Sequence, residues 1–138
     1  MTFSGAKIAL LHGVHIVTIL RDDRPDIPFP NHWDLPGGGR EGDETPEACA
    51  LREVEEELCL RLSPGDIIWR REYTGSPPAR VRSWFLVARM TDAQLARIRL
   101  GDEGQCWQSV ELARFLAMET AVPHMQHRLA DFLSDSAC

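Results

Sequence analysis

Glu53, Glu55, Glu56 and Glu57 crowd into five positions, directly after Arg52 and just before the chain stops reading as a helix. Thr45-Pro46 marks the start of that helix, since Thr caps well and Pro is preferred at the first helical position. Ala48, Leu51, Val54 and Leu58 recur at three- and four-residue spacing and form a core-facing stripe. The pattern predicts a helix from about Pro46 to Leu58, and the glutamates work against it. Glu53 and Glu57 repel each other at i,i+4 spacing. The C-terminal end of a helix already carries partial negative charge. Each penalty is roughly a few tenths of a kcal/mol, all of one sign, and a bound cation would reverse them.

The wheel divides the cluster. At about 100° per residue from Glu53, Glu57 falls near 40° and Glu56 near −60°, so the three share a face. Glu55, at about 200°, points elsewhere into solvent. Glu44, just before the helix, can approach the shared face from the loop.

The chain has 138 residues, enough for one domain with a real core, and 43% of them are hydrophobic. A net charge of −6 disfavours duplex nucleic acid as a partner, because gripping phosphates calls for a basic face. An anionic small molecule can still bind if metal ions supply positive charge. No apolar stretch approaches the length of a membrane span, and Met1 to Lys7 lacks the layout of a signal peptide. The expected setting is the cytoplasm, with no membrane partner, as a monomer or homodimer. Cys49, Cys59, Cys106 and Cys138 show no C-x-x-C spacing and read as free thiols.

Ala6 to Leu11 and Val14 to Leu20 read as strands around a His12-Gly13 turn. Arg21 to Asn31 holds three prolines and three aspartates and reads as a loop. Pro36-Gly37-Gly38-Gly39 reads as irregular. Strands are expected at Ile67 to Tyr73, Val81 to Met90 and Cys106 to Val110. Helices are expected at Gln94 to Ile98, Glu111 to Met118 and His124 to Leu133. Mixed strands and helices leave α/β or α+β, with helices covering a sheet.

Clustered carboxylate oxygens are ligands for hard cations such as Mg²⁺, Mn²⁺ or Ca²⁺. Mg²⁺ usually keeps waters and takes further ligands from substrate phosphates, so its site beside a glycine loop points to chemistry at phosphorus. Arg52 can hold a neighbouring carboxylate in a fixed fork.

Gly38, five residues, Glu44, seven residues, then Arg52-Glu53-Val54-Glu55-Glu56-Glu57-Leu58-Cys59-Leu60 resembles the Nudix box, G-x5-E-x7-R-E-U-x-E-E-x-G-U with U aliphatic. The match spans 23 residues, and Trp33-Asp34-Leu35-Pro36-Gly37-Gly38 resembles the usual lead-in. The resemblance implies one Nudix hydrolase domain over residues 1–138, an α/β/α sandwich with a mixed β-sheet, and the box as loop–helix–loop against a sheet edge. It implies a metal-dependent pyrophosphohydrolase of the MutT-like kind, cleaving a nucleoside diphosphate linked to another moiety. Glu53, Glu56 and Glu57 would bind Mg²⁺ (or Mn²⁺), with the Gly37 carbonyl beside them. Arg52 would orient Glu53, and Glu44 would support the cluster. Glu103, in Asp102-Glu103-Gly104-Gln105-Cys106-Trp107, resembles a downstream loop glutamate that serves some MutT-type members as metal ligand or base. That match favours a (deoxy)nucleoside triphosphate, oxidised forms included, as substrate. The alternatives are ADP-ribose, a dinucleoside polyphosphate, or a sensor that binds a nucleotide without cutting it.

Cys59 stands where the box has Gly. A residue just past a helix commonly turns left-handed, which costs a Cys roughly 1 kcal/mol or more unless the helix ends differently here. Arg80, Arg82, Trp33 and His124 are the candidate substrate contacts. Each stands beside a plainer reading: surface arginines, a core aromatic, a packed histidine.

Overall fold

The computed structural model describes residues 2–136; the Cys138 thiol lies outside them. Seven strands form one mixed sheet. They are β1 (Gly5–His12), β2 (His15–Leu20), β3 (Trp33–Asp34), β4 (Gly37–Gly39), β5 (Ile67–Thr74), β6 (Arg82–Arg89) and β7 (Cys106–Glu111). The helices are α1 (Pro46–Leu58), α2 (Asp92–Ala96), α3 (Leu112–Ala117) and α4 (Pro123–Ser136), with a 3₁₀ turn at Pro64–Asp66. Strand order is β3-β2-β1-β6-β5, with β4 also on β1 and β7 also on β2. β1 and β6 run parallel, and the other pairs are antiparallel.

The apolar runs of β1, β2 and β6 are continuous because both sheet faces are covered. Ile8, Leu10, Val17, Ile19 and Leu86 face a core shared with Val54 and Leu58 of α1. Their neighbours Ala9, Leu11, Ile16, Phe85 and Val87 face the opposite core, under Phe115 of α3 and Met125, Leu129 and Phe132 of α4. The result is the expected α/β/α sandwich. Leu58 and Val54 are fully buried. Burying each is worth about 1.5–3 kcal/mol, which outweighs the few tenths lost to each misplaced glutamate.

Two expectations change. α1 lies over the face of the central strand β1, between buried side chains of β1, β2 and β6, rather than against a sheet edge. Gly37–Gly39 is a strand: Gly37, Gly38 and Gly39 pair with Lys7, Ala6 and Gly5. The glycines that argued against regular structure are what permit it. Cβ atoms added at Gly37 and Gly5 would stand 2.2 Å from the Ala6 carbonyl oxygen and 2.4 Å from that of Gly38.

This pairing creates the site. β1 and β2 are joined only near their turn, at Leu11–Ile16 and His12–His15, and then part. β4 occupies the freed edge of β1, and β3 that of β2, at Ile19–Asp34 and Leu20–Trp33. The segment from Trp33 to Gly39 therefore spans the fork, anchored midway by the Ile8 N–H donating to Pro36 O at 2.9 Å. No helix among the described residues is long and apolar enough to cross a membrane.

Candidate active site

α1 brings its glutamates to the mouth of this fork. Its start is held by the Thr45 hydroxyl, which accepts the Ala48 N–H at 3.1 Å, with Pro46 in the first turn. Its end turns left-handed at Cys59 (φ 53°, ψ 35°), whose N–H donates to Glu55 O at 3.0 Å. The helix therefore keeps the box geometry and places a Cβ in a strained region, rather than ending differently.

Arg52 is the hub. Its Nε and Nη2 donate to the two Glu44 oxygens at 2.7 and 3.1 Å. Its Nη1 donates to Glu53 at 3.0 Å and Glu56 at 2.9 Å, and Nη2 reaches Gly39 O at 2.7 Å. This bidentate fork holds Glu44 below the usual carboxylate range. Glu53 is pushed up by burial, which outweighs the pull of Arg52. Glu57 is pushed up to about 7, again by burial, although it accepts the Gly37 N–H at 2.7 Å. Glu55 is exposed and pairs with Arg61, off the shared face.

Glu53, Glu56, Glu57 and Glu103 line one cleft of about 950 Å³ together with the Gly37–Gly39 backbone. Among the described residues no three His, Cys, Asp or Glu groups are already closed in ligating geometry. The reason is visible: Arg52 draws Glu53 and Glu56, and the Gly37 amide draws Glu57. The donor set still fits a hard divalent cation. It offers carboxylate oxygens on one helix face, and burial disfavours the charge of Glu53 and Glu57 until a cation balances it.

The cleft also has a cationic wall that sequence reasoning missed. Lys7, Arg21 and Arg24 line it along with the glutamates, and so does Asp34. Asp34 is 5% exposed. It accepts from Lys7 Nζ and Arg21 Nη1, both at 2.9 Å, and from the Leu35 N–H at 2.7 Å. Burial opposes its charge, but the Lys7 ammonium and these donors outweigh burial and hold its carboxyl low. One signal was present: Lys7 is the single charged residue in the apolar run of β1, which a strand covered on both faces does not tolerate without a partner.

Arg80 and Arg82 line a separate pocket of about 620 Å³ with Phe3 and Ser4, away from the glutamates. Trp33 packs on the core beneath α3 and α4, and its backbone N–H donates to Thr120 O. His124 sits at the start of α4, 5.8 Å from the Phe29 ring, with burial and Arg128 lowering its pKa.

The NUDIX domain family model matches residues 6–132. The chain belongs to the NUDIX family. NUDIX enzymes hydrolyse phosphoanhydride bonds and generally use divalent metals, and this chain is one of these hydrolases. The NUDIX sandwich recurs in solved structures. The MutT protein from Methanosarcina mazei Go1 is 21% identical, with a TM-score of 0.71 over 96% of this chain and 93% of that one. An Ap4A hydrolase from C. elegans, in a binary complex, is 20% identical (TM-score 0.67, 96% and 98% covered). A bifunctional NMN adenylyltransferase/ADP ribose pyrophosphatase from Francisella tularensis, complexed with AMP and Mn ion, is 18% identical (TM-score 0.72). It covers all of this NUDIX chain, which spans only 42% of the Francisella protein. At these identities the likeness is one of fold. No curated protein matches the chain in sequence.

Proposed function

We propose that this chain is a single-domain, Mg²⁺-dependent pyrophosphohydrolase whose substrate is a (deoxy)nucleoside triphosphate, oxidised forms included. One observation carries the reading: a single cleft is lined both by Glu53, Glu56 and Glu57 and by Lys7, Arg21 and Arg24. A polyphosphate needs both sets of groups, one to hold cations and one to neutralise the remaining charge directly. A volume of about 950 Å³ suits a nucleotide. Glu103 on the cleft lining supports the MutT-like choice.

Magnesium or manganese, when bound, polarises the phosphoryl oxygens and acidifies water. Arg52 keeps Glu53 aimed into the cleft. Lys7 and Arg21 hold the phosphate chain in register. A water oxygen bonds to phosphorus as the anhydride P–O bond breaks. Glu53 or Glu103 takes the water's proton, and pyrophosphate or phosphate leaves.

A product screen tests this. Deoxynucleoside and oxidised-purine triphosphates, ADP-ribose and a dinucleoside polyphosphate are incubated with Mg²⁺ and either the native chain or Glu53→Gln. Triphosphate cleavage that falls by orders of magnitude in the variant is the expected result. Cleavage of ADP-ribose with triphosphates untouched would move the assignment to the Francisella-type activity. Cleavage of the dinucleotide alone would move it to the Ap4A type. Binding without turnover in either chain would make it a sensor.

A further inference from the structure

The loop between α2 and β7 carries Asp102 and Glu103, both on the cleft lining, although their side chains are exposed and the loop is far in sequence from α1. It is nevertheless fastened at both ends. At its start it seals the C-terminal end of α1. The Arg99 N–H donates to Leu58 O at 2.9 Å, and the Gly101 N–H donates to Glu57 O at 2.7 Å. These donors satisfy carbonyls that a helix end leaves orphaned, at the end where the glutamates add negative charge. The approach is so close that a Cβ on Gly101 would stand 2.1 Å from Glu56 O. Gly101 therefore touches the backbone of two of the glutamates on the shared face.

At its other end the loop is tied to the cationic wall. Gly104 turns at φ +88°, and a Cβ there would meet Ile19 Cγ2 at 2.8 Å. The Gln105 N–H donates to Leu20 O at 2.9 Å. The Gln105 side-chain amide donates to Arg21 O at 2.8 Å and Asn31 Oδ1 at 2.9 Å. Gln105 thus joins the Glu103 loop to the strand end that carries Arg21.

We propose that Gly101 and Gln105 are positioning residues, a two-point clamp that holds Glu103 across the cleft between the carboxylate face of α1 and the Lys7–Arg21 wall. This rests on the hydrolase reading given above and deepens it. It assigns how an exposed loop carboxylate keeps a fixed place. A loop anchored at only one end would let Glu103 sample positions ångströms apart, and such misplacement lowers both cation affinity and turnover.

The test is a double-mutant cycle read on metal affinity as well as turnover. Mn²⁺ binding is measured by the EPR signal of free Mn²⁺ for the native chain, Gln105→Ala, Glu103→Gln and the double variant. Melting temperatures confirm that each chain is folded, and Gln105→Leu, which keeps the bulk, serves if Gln105→Ala is not. Glu103→Gln should weaken Mn²⁺ about tenfold, and Gln105→Ala by a similar or smaller factor. The double variant should be no worse than Glu103→Gln within about twofold, because the clamp acts through Glu103. Gly101→Ala should weaken Mn²⁺ at least as much as Gln105→Ala. The clamp is overturned if Gln105→Ala costs the same factor with and without Glu103, or if Gln105→Ala, Gly101→Ala or Glu103→Gln leaves affinity unchanged. A native chain that binds Mn²⁺ but cleaves no nucleotide sinks the hydrolase assignment and leaves this cycle readable. A native chain with no Mn²⁺ affinity overturns both.

Discussion

Gly38 packs against the Glu53 carboxylate so closely that a Cβ on the glycine would stand 2.7 Å from the carboxyl carbon and from each of its oxygens. The first residue of the box and the first of its shared-face glutamates are in contact, although fourteen positions separate them in the chain. Gly38 is not in the left-handed region, so its absence of a side chain serves space rather than backbone freedom. Gly38→Ala should push Glu53 off its hydrogen bond from Arg52 Nη1. Turnover should fall about 10²-fold, the usual consequence of an ångström-scale displacement. Steady-state kinetics beside a melting curve checks this, and a variant with native kcat would contradict the contact's role.

Cation binding should appear in stability before any substrate is known. Mg²⁺ should raise the melting temperature of the native chain, since a ligand of the folded state alone stabilises it. Glu56→Gln with Glu57→Gln should remove most of that gain. A native chain indifferent to Mg²⁺ in differential scanning fluorimetry would undercut the cation account.

The metal-free chain should respond to pH through Glu57. Burial raises its folded pKa to about 7, from an ordinary carboxyl value of 4.5. The folded state therefore binds the proton more tightly than the unfolded state. Its ionisation penalty is largest above pH 7 and is relieved as pH falls from about 7 towards 4.5. In a chelator, lowering the pH from 8 to about 6 should raise native stability relative to Glu57→Gln, whose curve lacks this contribution. Parallel curves from urea denaturation at each pH would rule the effect out. Saturating Mg²⁺ should suppress the difference, because the cation favours the carboxylate.

Cys59 is exposed and left-handed, so its side chain has strain to lose and little packing. Cys59→Gly should stabilise the fold by about 1 kcal/mol, a Tm rise of roughly 3–6 °C, with kcat within about twofold of native. An unchanged or lower Tm would mean that the strain is relieved elsewhere.

How much of this was legible in the chain differs from element to element. Helix α1 was legible to the residue, because Thr45, Pro46 and the Ala48–Leu58 stripe are local signals. The α/β/α sandwich followed from the box resemblance, while the mixture of strands and helices left α/β or α+β open. Gly37–Gly39 was not legible as a strand, because glycine has low strand preference and only the neighbouring Gly5–Lys7 edge supplies its partners. Arg21 fell in a segment read as a loop and Asp34 was only part of the lead-in to the box, for nothing local says that the fork of β1 and β2 closes around them. Arg80 and Arg82 were candidates to meet phosphate beside the plainer reading of surface arginines, and the fold puts them in another pocket.

The sequence by itself determined the chemistry available: which carboxylates share a helix face, where that helix begins and ends, and that Arg52 can hold its neighbours. These depend on spacing along a single helix of known period. Only the tertiary structure decided what shares a cleft with the glutamates, how Gly38 and Gly101 press on them, and which arginines line that cleft. Those relations arise from pairing between segments tens of residues apart, where a one-residue change of register would turn every side chain to the other face of the sheet.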